Sequence, residues 1–221
     1  MTVVTGATDL TAATILGQTW QLVLSNGARA AIAIAALSLA GGLDDFGIGG
    51  SATTLVVTVL MLFLQYWLTR SLLEDLGLRF GSGPRFVAFV VQGLLVGIAF
   101  LIGFFLLIVP AIIVFVRWSI SGPSLVASDQ SITEALGESW RQTQGHFWPI
   151  LLAFIAVYVP PVTAAILAVL ADGSPLGQTP GIAATMVFEL SINTGLVLGW
   201  HATVAIYAMF ERQRGVAEVF A

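Results

Sequence analysis

The side chains able to do chemistry are few in these 221 residues, and the most informative is an arginine. Arg29, Arg70, Arg79, Arg85, Arg141, Arg212 and Arg214 flank long apolar runs, whereas Arg117 stands inside one, between Leu106 and Val126. A guanidinium at membrane depth is costly, so it must face protein and find a partner. Glu189 is the carboxylate at matching depth. At 1.5 Å per residue from the nearest outer break, Arg117 lies about 10 Å beyond Pro110 and Glu189 about 13 Å beyond Pro180. The spacing predicts an ion pair, with Asn193 one turn below Glu189 adding a hydrogen bond. Such a pair would either line an aqueous or substrate pathway or clip two helices together in register. Gln65 and Gln92, level by the same count, predict an interhelical hydrogen bond.

The other reactive groups form no catalytic constellation. With neither Lys nor Cys in the chain, thiolate catalysis, disulfides and Cys-based zinc sites are excluded. His146 and His201 have no paired carboxylates at ligand spacing, and His201 reads more simply as an interface histidine than as a proton shuttle. Glu74 and Asp75 are adjacent on a helix end and point in different directions. There is no G-x-S-x-G, H-E-x-x-H, P-loop or G-x-G-x-x-G segment. The expectation is therefore no catalytic, cofactor-binding or metal-ligating residue, and no enzyme activity.

The elements that carry these residues are membrane helices. A hydrophobic share of 57% with only 9% charged residues is far from the composition of a soluble domain. Continuous apolar runs such as Leu55 to Leu64 and Phe86 to Val109 are helical in length and lack the alternation of a membrane β-barrel. The fold class is all-α: a polytopic membrane bundle forming a single domain over residues 1–221. Six spans are expected at about 28–43, 52–74, 85–107, 110–127, 148–171 and 181–210. Turn-formers separate most of them, including Gly41-Gly42-Leu43-Asp44-Asp45, Gly81-Ser82-Gly83-Pro84 and Asp172-Gly173-Ser174-Pro175. The third and fourth meet near Val109-Pro110 with almost no loop. Ser121-Gly122-Pro123-Ser124 interrupts the fourth; it is either a kink or unwound backbone that could coordinate an ion.

Placing the seven flanking arginines in the cytoplasm leaves Asp44, Asp45 and Asp172 outside, so the positive-inside rule predicts six crossings with both termini cytoplasmic. Met1 to Leu10 show neither a positive n-region nor an apolar h-region, so no cleaved signal peptide is expected. Eight scattered arginines and a net charge of -4 form no basic stripe, which excludes nucleic acid as a partner.

Two stretches are amphipathic and are expected as short helices at the cytoplasmic surface, with the alternative that they are connectors packed under the bundle. Over about residues 9–26, Leu10, Ala13, Leu16, Trp20, Val23 and Leu24 share a face. Over about 131–144, Ser131 and Glu134 form a capping box, and Ile132, Ala135, Leu136 and Trp140 line one side. Leu16-Gly17-Gln18-Thr19-Trp20 also matches Leu136-Gly137-Glu138-Ser139-Trp140, consistent with a parallel internal repeat.

The stretch Val109-Pro110, Arg117-Trp118, Pro123, Glu134-Ala135-Leu136, Ser139-Trp140 and Gly145-His146-Phe147-Trp148 resembles a bacterial family. That family includes the membrane domain of glycerophosphoryl diester phosphodiesterases and related inner-membrane proteins of the YciC type. Ala111 stands where the family pattern usually has Gly, and Ser128-Asp129 where it often has a carboxylate nearer the span's end. The resemblance implies a multi-pass protein of the bacterial cytoplasmic membrane. Phosphodiester cleavage in the enzyme members belongs to a separate soluble domain, which this chain is expected to lack. Two functions follow as expectations. One is a non-catalytic module that organises membrane lipids, a protein partner or a second copy of itself. The other is a transporter or channel for a small or amphiphilic solute, with Arg117 and Glu189 in its pathway.

Overall fold

The computed structural model describes residues 10–48, 50–78, 81, 83–173 and 180–219. Among the described residues the structure is all-helical, with no strand. In chain order the helices are α1 (Ala12–Ser25), α2 (Gly27–Asp45), α3 (Ser51–Asp75), α4 (Phe86–Leu106), α5 (Ile108–Arg117), α6 (Ser121–Ala127), α7 (Ile132–Gln142), α8 (Phe147–Asp172) and α9 (Ile182–Val219). Six segments are long and apolar enough to cross a membrane: Gly27–Asp45, Ser51–Asp75, Phe86–Leu106, Ile108–Ala127, Phe147–Asp172 and Ile182–Gly215. The chain is thus a multi-pass membrane protein, and its span limits follow the apolar runs closely.

Helix α9 is the central column, packed against α8, α2, α1 and α3. Val197, Ala202, Val204 and Ile206 are fully buried along it. Its contact with α8 depends on small residues, as close helix pairs in membranes generally do. A side chain at Gly195 would meet the Pro161 ring at 2.8 Å, and one at Gly199 would overlap the Tyr158 ring. The seam with α2 is similar, because Gly41 lies directly beneath the Glu189 carboxylate.

The described arginines other than Arg117 lie at span ends or connections and gather at one end of the bundle, here called the basal end. Arg29 pairs with Asp75 at 2.5 Å, which joins the start of α2 to the end of α3. Arg85 donates to the Ser128 carbonyl at 2.6 Å, which joins the start of α4 to the end of α6. Glu138 on α7 is buried and accepts from both Arg141 and Arg214, so α7 is latched to the end of α9. Arg79 lies outside the described residues. Asp44, Asp45 and Asp172 lie at the opposite, distal end, where Asp44 accepts from Thr54 at 2.9 Å and Asp172 from the Gly181 amide at 3.1 Å. Gly47 and Gly50 in the α2–α3 turn, and Gly173 after α8, have φ of 69°, 60° and 68°, a left-handed backbone that glycine adopts without strain.

Both amphipathic helices form, and both pack on the bundle. On α1 the side buried against the bundle is Ile15, Thr19 and Leu22, while Trp20 and Leu24 of the expected apolar face point outward at 59% and 65% exposure. Leu10 and Leu16 of that face still pack on the core. On α7, Ala135, Glu138 and Ser139 are buried, and Ser131 with Glu134 forms the expected capping box. The Glu134 carboxyl is held below the ordinary carboxylate range by hydrogen bonds from the Ser131 amide and hydroxyl. The repeated pentapeptides have different surroundings, since α1 packs on α8 and α9 whereas α7 packs on α6. Even so, their equivalent third positions meet the same stretch of α9: Gln18 accepts from Arg212 at 3.5 Å and Glu138 from Arg214.

A candidate lipid-facing cavity

The fourth span is broken, and the break builds a cavity. Pro123 has no amide proton, so the Ser119 carbonyl loses its helical donor, and the proline ring crowds that same carbonyl. The chain turns over Trp118, Ser119 and Ile120 before α6 begins, so the fourth span is kinked just ahead of Ser121-Gly122-Pro123-Ser124, which is itself helical. The Ser121 hydroxyl holds the bend by donating to the Trp118 carbonyl at 2.6 Å and accepting from Gln92 at 2.7 Å. Gln92 therefore bonds across to the α5–α6 junction instead of to Gln65, which corrects the expected glutamine pair. A hydroxyl freed at a helix break is the nearer acceptor.

Both glutamines border a cavity of about 470 Å³ between α3, α4, the α5–α6 junction, α8 and α9. Its walls are mainly apolar, with Phe89, Phe100, Phe115, Phe154 and Trp200 among them. Phe115, Phe154 and Tyr158 pack ring on ring, with centroids 4.9–6.2 Å apart. Along α4, Gly93 and Gly97 leave the wall open; a Cβ at either would meet nothing within 4 Å. Several lining polar groups are already satisfied by backbone, including Ser119 on Val116 and Thr203 on Trp200, at 2.9 and 2.8 Å. Gln65, Thr69 and Tyr158 border the space with no side-chain hydrogen bond to the described residues that would use them up. An apolar chamber with a few convergent polar groups suits a ligand with a hydrocarbon part and a hydrogen-bonding part.

Beside the cavity, the residues that carry the family resemblance converge on the kink. The Arg117 carbonyl accepts from Ser139 at 2.8 Å and from Thr143 at 3.3 Å, which ties α5 to α7. The Arg117 guanidinium lies over the Trp140 ring, 5.6 Å from its centroid, and Trp118 meets the same indole edge-on at 6.3 Å. Ala135 is fully buried on the same face of α7. Pro110 falls in the first turn of α5, where its missing amide proton is no loss. Leu136 is half-buried on α7.

Arg117 and Glu189 do not pair. Trp118, next to Arg117, shares the cavity with Trp200, and Glu189 lies eleven residues before Trp200, about 16 Å along α9. Depth counting failed at its starting point: α5 is continuous from Ile108 to Arg117, so the bend beyond it does not alter the count, and Pro110 and Pro180 do not stand at one level. The arginine meets an indole, leaving its buried Nη1 without a hydrogen-bond partner. Asn193 does act as expected, donating to Glu189 Oε2 at 2.9 Å, and it also reaches Ser38 on α2 at 3.5 Å. His201 is fully buried, with Nδ1 2.8 Å from the Val197 carbonyl and Nε2 unpartnered. Sequence reasoning missed Thr69, Tyr158 and the two α4 glycines. The spacing of Gln65 and Thr69, and of Gly93 and Gly97, one helical turn apart in each case, was the available signal.

No family model matches the chain, and neither a curated protein nor a solved structure does.

Proposed function

We propose that this protein is a non-catalytic membrane module that holds an amphiphile of the lipid class in the cavity between α3, α4, α8 and α9. The observation that carries this reading is the convergence of Gln65, Thr69 and Tyr158 on an apolar chamber at the depth of the spans. The hydrocarbon part lies along Gly93, Gly97 and Phe100, and the polar part takes hydrogen bonds from the three free groups. The basal arginines then face the cytoplasm of a bacterial inner membrane, as the positive-inside rule favours, with both termini on that side. Kinship with the membrane domain of glycerophosphoryl diester phosphodiesterases fits such a module, because Arg117, Ser139 and Trp140 meet at one junction.

Gly97→Leu tests the reading, since its side chain enters open space. Native mass spectrometry of the detergent-purified protein is expected to find a bound lipid in the wild type and much less in the variant. Retention of the same lipid by a folded variant would overturn the cavity as the site.

A further inference from the structure

The α4–α5 hairpin carries an inference of its own. From Gly93 to Val116 no side chain is polar or charged. The turn is a single extended residue, Leu107, and the side chains around it are among the largest exposed apolar groups of the molecule: Phe105 84%, Leu106 70%, Leu107 70% and Val109 63%. The other two turns on that side are built for water, with Asp44 and Thr54 in one and Asp172 in the other.

Irregular backbone in hydrocarbon must leave few polar groups open. This turn meets part of that demand. The Leu107 amide donates to the Gly103 carbonyl at 3.0 Å, and Pro110 has no amide proton to satisfy. Gly103 also lets the two arms touch backbone to backbone, since a Cβ there would lie 2.8 Å from the Ala111 nitrogen. The second arm is short: α5 runs ten residues before the kink, about 15 Å, or half a hydrocarbon core.

We infer that the α4–α5 turn is a lipid-contacting surface, whose partner is the acyl-chain region of the leaflet opposite the arginine end. The first arm is an apolar helix of membrane length and the second runs half that length before the kink, and their turn stays among acyl chains instead of emerging into water.

Because the chain has no cysteine, one nitroxide can be placed at will. Leu107→Cys carries the probe at the turn, Val109→Cys repeats the measurement should the first variant fail to fold, and Ile48→Cys in the α2–α3 turn is the water reference. In proteoliposomes, the probe at 107 is expected to be reached by molecular oxygen and shielded from a water-soluble nickel chelate, whereas Ile48 is open to the chelate. Access of the chelate to position 107 would overturn the inference. Shielding from both reagents would overturn it too, because protein, such as a second copy of the chain, would then cover the turn.

Discussion

Helix α9 and the α4–α5 hairpin are both apolar enough to cross a membrane, yet different materials cover them. In the most apolar stretch of each helix, 33% of the residues of α9 are buried, against 17% for α4, and within α5 only Ala111 and Val116 are. The buried column is the one that carries polar residues: Glu189, Asn193 and His201 all lie on α9. The exposed hairpin has none between Gly93 and Val116. Protein neighbours can supply hydrogen-bond partners at depth and acyl chains cannot, so polar content follows burial by protein. Glycine divides in the same way. Gly195 and Gly199 admit a neighbouring helix, whereas Gly93 and Gly97 border open space.

The strongest way to break this comparison is one substitution made in both places. Gly199→Leu drives a side chain into the Tyr158 ring and is expected to cost about 3 kcal/mol through overpacking of the α8–α9 seam. Gly97→Leu meets nothing and is expected to stabilise by about 0.5–1 kcal/mol, because it replaces a poor helix former. Thermal unfolding in detergent reads both, and equal losses would remove the distinction. A smaller effect sharpens the basal end of the column. Glu138→Gln keeps the shape of α7 but weakens the hydrogen bonds from Arg141 and Arg214; with the arginine side chains 72% and 43% exposed, the expected loss is about 1–2 kcal/mol. Proteolysis near the end of α9 should quicken in parallel. Glu189→Gln is expected to have the smallest effect, under about 1 kcal/mol, since Asn193 can still donate to the remaining oxygen. A loss of about 3–5 kcal/mol, the scale for breaking a buried ion pair, would restore a cationic partner for Glu189.

Much of the fold was legible because hydrocarbon is an undemanding solvent to read: continuous apolar runs and their Gly, Asp and Pro breaks locate spans directly. The candidate site was less legible. Its residues come from five places in the chain, and what brings them together is a bend whose direction depends on packing. Pro123 announces the bend, but nothing local says that Ser121 will take Gln92, or that Trp140 on another helix will cover Arg117. Counting residues from two breaks assumes that the breaks stand at one level, and the pairing of Arg117 with Glu189 failed on that assumption. Which side of α1 meets the bundle was not legible either, because apolar residues lie on more than one side of that helix.

The single-residue turn at Leu107 also bears on biogenesis. The other two distal connections carry acidic side chains, Asp44 with Asp45 in one and Asp172 in the other. Between α4 and α5 there is none, so the two arms can enter lipid together without moving a charge into it, held by their Gly103 contact. Assembly of this region is then a partitioning event into lipid, and it need not wait for the synthesis of α8 and α9, against which the finished bundle later closes.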